Sequence, residues 1–162
     1  MNKTIFTKDP ESARLTIERI FPAARSRVWQ AMTDPAILDQ WWGPQPWFVK
    51  TIRMDFRVGG SWRYSMNGPN GEQHFARMDY VEIDPERRFK SNDSFTDAAG
   101  NINESMPQQL IDTRLVAEGP HTKVVTVIQY ASLEDLERIV EMGFREGLTM
   151  AHDQLEALLA GG

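Results

Sequence analysis

The stretch from Ser132 to Gly161 constrains the fold of this chain more than any other. It reads as one long amphipathic helix. At roughly 100° per residue, Leu133, Leu136, Val140, Gly143, Phe144, Gly147, Leu148, Ala151, Leu155 and Leu158 fall in one apolar stripe. Glu134, Asp135, Glu137, Arg138, Glu141, Arg145 and Glu156 lie mostly on the other side. Ser132 is a good N-cap, and Asp135 puts a negative charge in the first turn, where it suits the helix dipole. Gly161 and Gly162 end the run. The odd feature is Gly143 and Gly147, one turn apart on the buried face, each costing about 1 kcal/mol against Ala in a helix interior. They leave a flat patch without side chains. Two compatible readings follow: close packing of backbone against a sheet, or one wall of an internal cavity.

A helix of about 28 residues spans roughly 40 Å and needs a broad partner. The rest of the chain supplies strands. Residues 12 to 21 read as the first strand, with Leu15, Ile17 and, less cleanly, Arg19 on one face, and Pro22 stops it. Ala23 to Thr33 is a short helix. Asp34 as N-cap and Pro35 in the first turn start a second, which Trp41-Trp42-Gly43-Pro44 ends. From Trp47 the pattern stays strand-like for about eighty residues. Phe48, Lys50, Ile52 and Met54 alternate with Trp47, Val49, Thr51 and Arg53. Trp62, Tyr64 and Met66 share one face of the next strand, and Asn67 to Gly71 make a hairpin turn. Strands follow at Gln73–Ile83 and Arg87–Phe95, then a polar loop from Thr96 to Met106. The last hairpin is Gln108–Ala117 with Lys123–Tyr130.

The 162 residues suit a single domain, 1–162, in which 1–11 is a flexible or edge segment. With 41% apolar and 25% charged residues the chain can bury a core. A net charge of −5 without a Lys/Arg cluster argues against nucleic acid as a partner. The absence of cysteine excludes disulfides, thiolate catalysis and cysteine zinc sites. Met1 to Asp9 lacks the apolar core of a signal peptide, and no apolar run approaches the roughly 20 residues of a membrane span. The expectation is a cytoplasmic protein with no membrane partner.

Several segments then form a pattern: Phe21-Pro22-Ala23, Val28-Trp29, Trp41-Trp42-Gly43-Pro44, Val58-Gly59-Gly60-Ser61-Trp62-Arg63-Tyr64, Glu82-Ile83-Asp84-Pro85-Glu86-Arg87, Met142-Gly143-Phe144-Arg145-Glu146-Gly147 and Leu155-Glu156-Ala157-Leu158-Leu159. Together, in this order, they resemble bacterial proteins similar to the activator of heat shock protein 90 ATPase, within the START-like (SRPBCC) superfamily. The resemblance runs from about residue 14 to 160. It implies the α+β helix-grip fold: a curved antiparallel sheet of about six or seven strands wrapped around a long C-terminal helix, with two short helices after the first strand. It also implies a link to chaperones and the stress response. Function is less constrained, because one fold hosts many functions.

The aromatic residues are the best functional clue. Trp41, Trp62, Tyr64, Phe75, Phe89, Phe95 and Phe144 sit on elements that such a fold brings together, and they serve either as ordinary core or as cavity lining. Met78 and Met106, with Met66, could add adaptable walls. Gly143, Gly147 and Leu148 would complete the lining, and a buried Arg63 or Arg114 could fix a carboxylate or carbonyl of a ligand. Of the adjacent pair, one of Trp41 and Trp42 packs inward and the other rims an entrance. His121 and His74 read as solvated, and His152 as a boundary residue. No pair of histidines has metal-ligand spacing, and no nucleophile elbow or phosphate-binding glycine loop occurs. Glu104 and Asp112 are the carboxylates weighed for burial, and Asp112 and Arg114 share a strand face. The expected role is binding of a small apolar or aromatic ligand between sheet and helix, with no catalytic residue, metal or cofactor assigned. The alternatives are a protein-interaction module acting on a chaperone, or a cyclase or hydrolase working in the same cavity. A homodimer is left open, since no heptad or exposed stripe announces one.

Overall fold

The computed structural model describes residues 2–161. Eight strands form one antiparallel sheet: β1 (Ile5–Asp9), β2 (Arg14–Phe21), β3 (Phe48–Met54), β4 (Ser61–Asn67), β5 (Gln73–Asp84), β6 (Arg88–Thr96), β7 (Gln109–Glu118) and β8 (His121–Gln129). Their spatial order is β1-β2-β8-β7-β6-β5-β4-β3. The strands from β3 to β8 therefore form a meander, and the β1–β2 hairpin adds to its far edge. The extra strand over the expected six or seven is β1, which pairs with β2 from Ile5↔Glu18 to Asp9↔Arg14.

Helices α1 (Arg25–Thr33) and α2 (Pro35–Trp41) follow β2. Asp34 caps α2, its carboxylate accepting from the Ala36 N–H at 2.9 Å. After α2 the chain passes so close to β3 that a Cβ on Gly43 would lie 2.8 Å from the Phe48 Cα, so only glycine fits there.

The C-terminal segment departs from the single rod. It is two helices, α3 (Leu133–Glu141) and α4 (Phe144–Ala160). Ser132 caps α3, its hydroxyl accepting from the Asp135 N–H. The break falls on Gly143, whose φ of 91° is left-handed and cannot continue a helix. This glycine is a hinge between helices rather than a tolerated interior residue.

A second departure lies in β3. A bulge between Thr51 and Arg53 shifts the register. Phe48 and Ile52 point outward and are exposed, while Met54 packs against the core. Strict alternation would have kept all three together.

The core is split. One cluster joins α1, α2, the second half of α4 and strands β3 to β6, with Trp41, Trp62, Tyr64, Met78, Phe89 and Leu155. The other lies under α3, with Leu15, Ile17, Ile111, Ile128, Leu136 and Ile139. Arg19, on the inner face of β2 and 2% exposed, ties the sheet to α4. Its guanidinium donates to Asp153 at 2.9 Å and Glu156 at 3.2 Å.

Candidate functional site

A cavity of about 350 Å³ lies between the inner face of the sheet and the terminal helices, bordered by residues of both core clusters. That volume is at the lower end of the range for small-molecule sites. Alternation along each strand decides which side chains reach it. The wall takes Trp62, Tyr64 and Met66 from β4, Ala76 and Met78 from β5, Phe89, Ser91, Asp93 and Phe95 from β6, and Gln109, Ile111 and Thr113 from β7. The helical wall is Met142, Gly143, Phe144, Gly147, Leu148, Ala151 and His152.

The indoles are locked with their N–H groups spent on protein acceptors. Trp41 donates to the Ala31 carbonyl at 2.9 Å, Trp62 to the Thr51 hydroxyl at 3.0 Å, and Trp42 to the Tyr64 hydroxyl at 3.2 Å. Trp41 and Trp42 meet edge to face at 5.3 Å, and Trp62 stacks on Tyr64 at 4.1 Å. Trp41 is fully buried and Trp42 half-buried, and both border the cavity. Gln154 of α4 holds the turn after α2 by donating to the Trp41 and Gly43 carbonyls. Pro44 is thereby set against α4, where a Cβ on Gly147 would touch it at 3.7 Å, an ordinary contact. A Cβ on Gly143 would meet nothing within 4 Å. Gly143 is thus exposed at the cavity edge rather than on the buried face expected of it, Gly147 is half-buried beside Pro44, and neither packs closely on backbone.

Trp41, Trp62, Tyr64, Met78, Phe89, Phe95, Gly143, Phe144, Gly147 and Leu148 thus all border the cavity. Three of the residues read as lining from the sequence lie elsewhere. Phe75 pairs with Ser65 and Thr96 and takes the opposite parity to Ala76 and Met78, so it points to the outer face. Met106 lies in the loop, its sulfur accepting from the Arg138 guanidinium, and neighbouring Pro107 borders the cavity instead. Arg114 is exposed on the outer face of β7, 3.5 Å from Asp112. Asp112 itself is lowered from the usual carboxylate value, chiefly by hydrogen bonds from Arg88. Glu104 is exposed.

Of the polar groups at the cavity, Tyr64 was expected from the sequence, His152 was expected at a boundary, and Asp93 was passed over. Asp93 keeps some accessible surface because it borders the cavity, yet protein surrounds it closely. Burial pushes its carboxyl up to about 7, against a hydrogen bond from the Ser91 hydroxyl at 2.8 Å that pulls it down; the charge of Asp79 raises it further. Burial and then the nearby Asp93 charge push the Tyr64 and Tyr80 phenols up. His152 is 5% exposed rather than at a boundary, edge-on to Phe21 at 5.4 Å, with Nδ1 3.0 Å from the Thr4 hydroxyl. Burial and then the Arg19 charge lower its imidazole to about 3, so it is neutral at physiological pH. The signal for Asp93 was available: it lies four residues from Phe89 and two from Phe95, on the same strand face. His152 owes its burial to Arg19 and Thr4, which lie far away in sequence.

A curved antiparallel sheet gripped by a C-terminal helix, with a cavity between them, defines a helix-grip protein of the START-like class. The chain belongs to the Activator of Hsp90 ATPase homolog 1-like family, whose model matches residues 22–160. A crystal structure of a Mycobacterium smegmatis protein is 32% identical, with 97% of this chain and 96% of that one covered and a TM-score of 0.90. A solution structure from Arthrobacter aurescens is 28% identical, covering 98% and 92%, with a TM-score of 0.91. An AHSA1 protein of Silicibacter pomeroyi, at 21% identity, 91% and 98% coverage and a TM-score of 0.72, shares the fold. No protein with a curated description matches the chain. Among the described residues no helix is long and apolar enough to cross a membrane, and no group of His, Asp and Glu could hold a metal ion.

Proposed function

We propose that this protein binds a small hydrophobic ligand in the cavity between its sheet and α4. The carrying observation is the 350 Å³ space itself, walled by aromatic faces and by the side-chain-free surface of Gly143 and Gly147. Close packing is the rule in protein interiors, and a void lined by Trp, Met and Phe forfeits dispersion contacts that a ligand would restore. The helix break supports the same reading, because it puts a residue without a side chain at the cavity edge. Native mass spectrometry and thermal-shift screening against lipids, flavonoids and polyketides test it. A bound species at one per chain, with a raised melting temperature, is expected. No adduct and no shift across those classes would remove the reading.

A second reading, acid–base chemistry on a bound ligand, draws on the Asp93 carboxyl poised near 7. It predicts product formation that Asp93→Asn abolishes. The family description also points to a protein partner, an ATPase-bearing chaperone. Pull-down with the host chaperone tests that interaction, and an unchanged ATPase rate would dismiss it.

A further inference from the structure

The cavity is apolar but not featureless, and its polarity is one-sided. Its inward-facing basic side chain, among the described residues, is His152; Arg77 also borders it but has the outward parity of Phe75. The Arg77 guanidinium is spent on Asp79 in a bidentate pair and on the Gly100 carbonyl at 3.1 Å, while His152 is uncharged. No free cation therefore faces the space. The acidic side chain there is Asp93. One of its oxygens accepts from Ser91; among the described residues no protein donor reaches the other. The groups around it are polar but neutral: Gln109, opposite it on β7, whose amide donates to the Tyr130 hydroxyl, and Tyr64 across β5, whose oxygen accepts from Trp42. On β5, Asp79 adds a further negative charge and Tyr80 feels the Asp93 field.

This arrangement has a chemical meaning. A carboxylate with an unused lone pair, in a site that desolvates it, is a strong acceptor for a ligand O–H or N–H. The Tyr64 hydroxyl, having accepted from Trp42, keeps its own proton for a ligand acceptor. The same site opposes a second carboxylate, because two like charges close together in a low-dielectric space cannot both stay ionised. Holding an acid there costs stability, which a purely structural core would avoid with an apolar residue.

We propose that Asp93 sets the specificity of the cavity, selecting an apolar, ring-bearing ligand that carries a hydroxyl or similar hydrogen-bond donor and rejecting free carboxylates such as fatty acids. This rests on the ligand-binding reading above. The test is a matched series on one ring system, 2-naphthol, naphthalene and 2-naphthoate, titrated by protein-observed NMR at pH 8. Wild type should bind 2-naphthol at least about tenfold tighter than naphthalene, the size of one hydrogen bond to a charged acceptor, with 2-naphthoate weakest. Asp93→Leu should bring 2-naphthol and naphthalene to within about threefold of each other. Asp93→Asn, which keeps an acceptor but no charge, should retain part of the hydroxyl preference and admit 2-naphthoate. Folded spectra of both variants guard against loss of structure. An unchanged hydroxyl preference in Asp93→Leu, or tight binding of 2-naphthoate to wild type, overturns the assignment. If none of the three binds while the spectra stay native, the assignment of a ring-bearing hydroxylated ligand falls, whereas the ligand-binding reading falls only if the lipid, flavonoid and polyketide screen is blank as well.

Discussion

The two halves of α4 meet the sheet in different ways. From Ala151 to Leu159 the inner face is packed: Leu155, Glu156 and Leu159 are buried away from the cavity, Ala151 and His152 are buried at its edge, and Glu156 pairs with buried Arg19. From Phe144 to Met150 no residue is fully buried, and Phe144, Gly147 and Leu148 border the cavity. One half anchors the helix and the other leaves room beneath it. The difference shows how a small domain can hold a void: stability is concentrated at one end of an element so that the other end can be under-packed.

The largest effects should come with pH, and they have opposite signs at the two sites. Asp93 is raised in the folded protein from 3.8 to about 7, so the unfolded chain ionises first. Stability falls as pH rises between about 4 and 7, by at most about 4 kcal/mol. Asp93→Asn should therefore melt higher than wild type at pH 8 and equal it near pH 4. His152, in the packed half, is lowered from 6.5 to about 3. The unfolded chain then takes up its proton first, and stability falls as pH drops below about 6.5. His152→Phe should flatten that acid limb. Thermal melts across pH 4 to 8 check both, and a flat difference between wild type and either variant would contradict the placement of that group.

Next in size is a matched pair of truncations. Leu155→Ala, in the packed half, should cost about 3 kcal/mol in urea unfolding. Leu148→Ala, half-buried at the cavity, should cost about 1 kcal/mol, since it removes fewer contacts. Equal costs would erase the contrast between the two halves.

The smallest effects concern the glycines. Gly143→Ala should destabilise by about 1 kcal/mol, because φ of 91° disfavours any Cβ. Gly147→Ala has room for its methyl and should gain up to about 1 kcal/mol from helix propensity. Two losses of similar size would mean that both glycines serve close packing.

Much of the fold was legible because periodicity and caps carry it. Ser132, Asp34 and Pro35 mark their helices, and Trp62, Tyr64 and Met66 share a face as alternation requires. The break at Gly143 was not legible, since an apolar stripe of unbroken period continues through it and only the backbone angle reveals the hinge. The bulge in β3 was hidden for the same reason: a pattern cannot show an extra residue. In the cavity, Phe75 was misplaced although its odd spacing from Met78 forbids a shared face. Asp93 is hard to single out from the sequence because its environment comes from β4, β5 and β7 rather than from sequence neighbours. Arg19 and His152 find each other only through tertiary contact.

The central claim, that the space under the first half of α4 is a ligand chamber, is tested most directly by filling it. Gly147→Leu projects a side chain into the space while leaving the packed half untouched. The account predicts that wild type binds 2-naphthol saturably, one per chain, and that Gly147→Leu stays folded by thermal melt yet weakens binding at least about tenfold. Binding undiminished in a folded Gly147→Leu protein would contradict it.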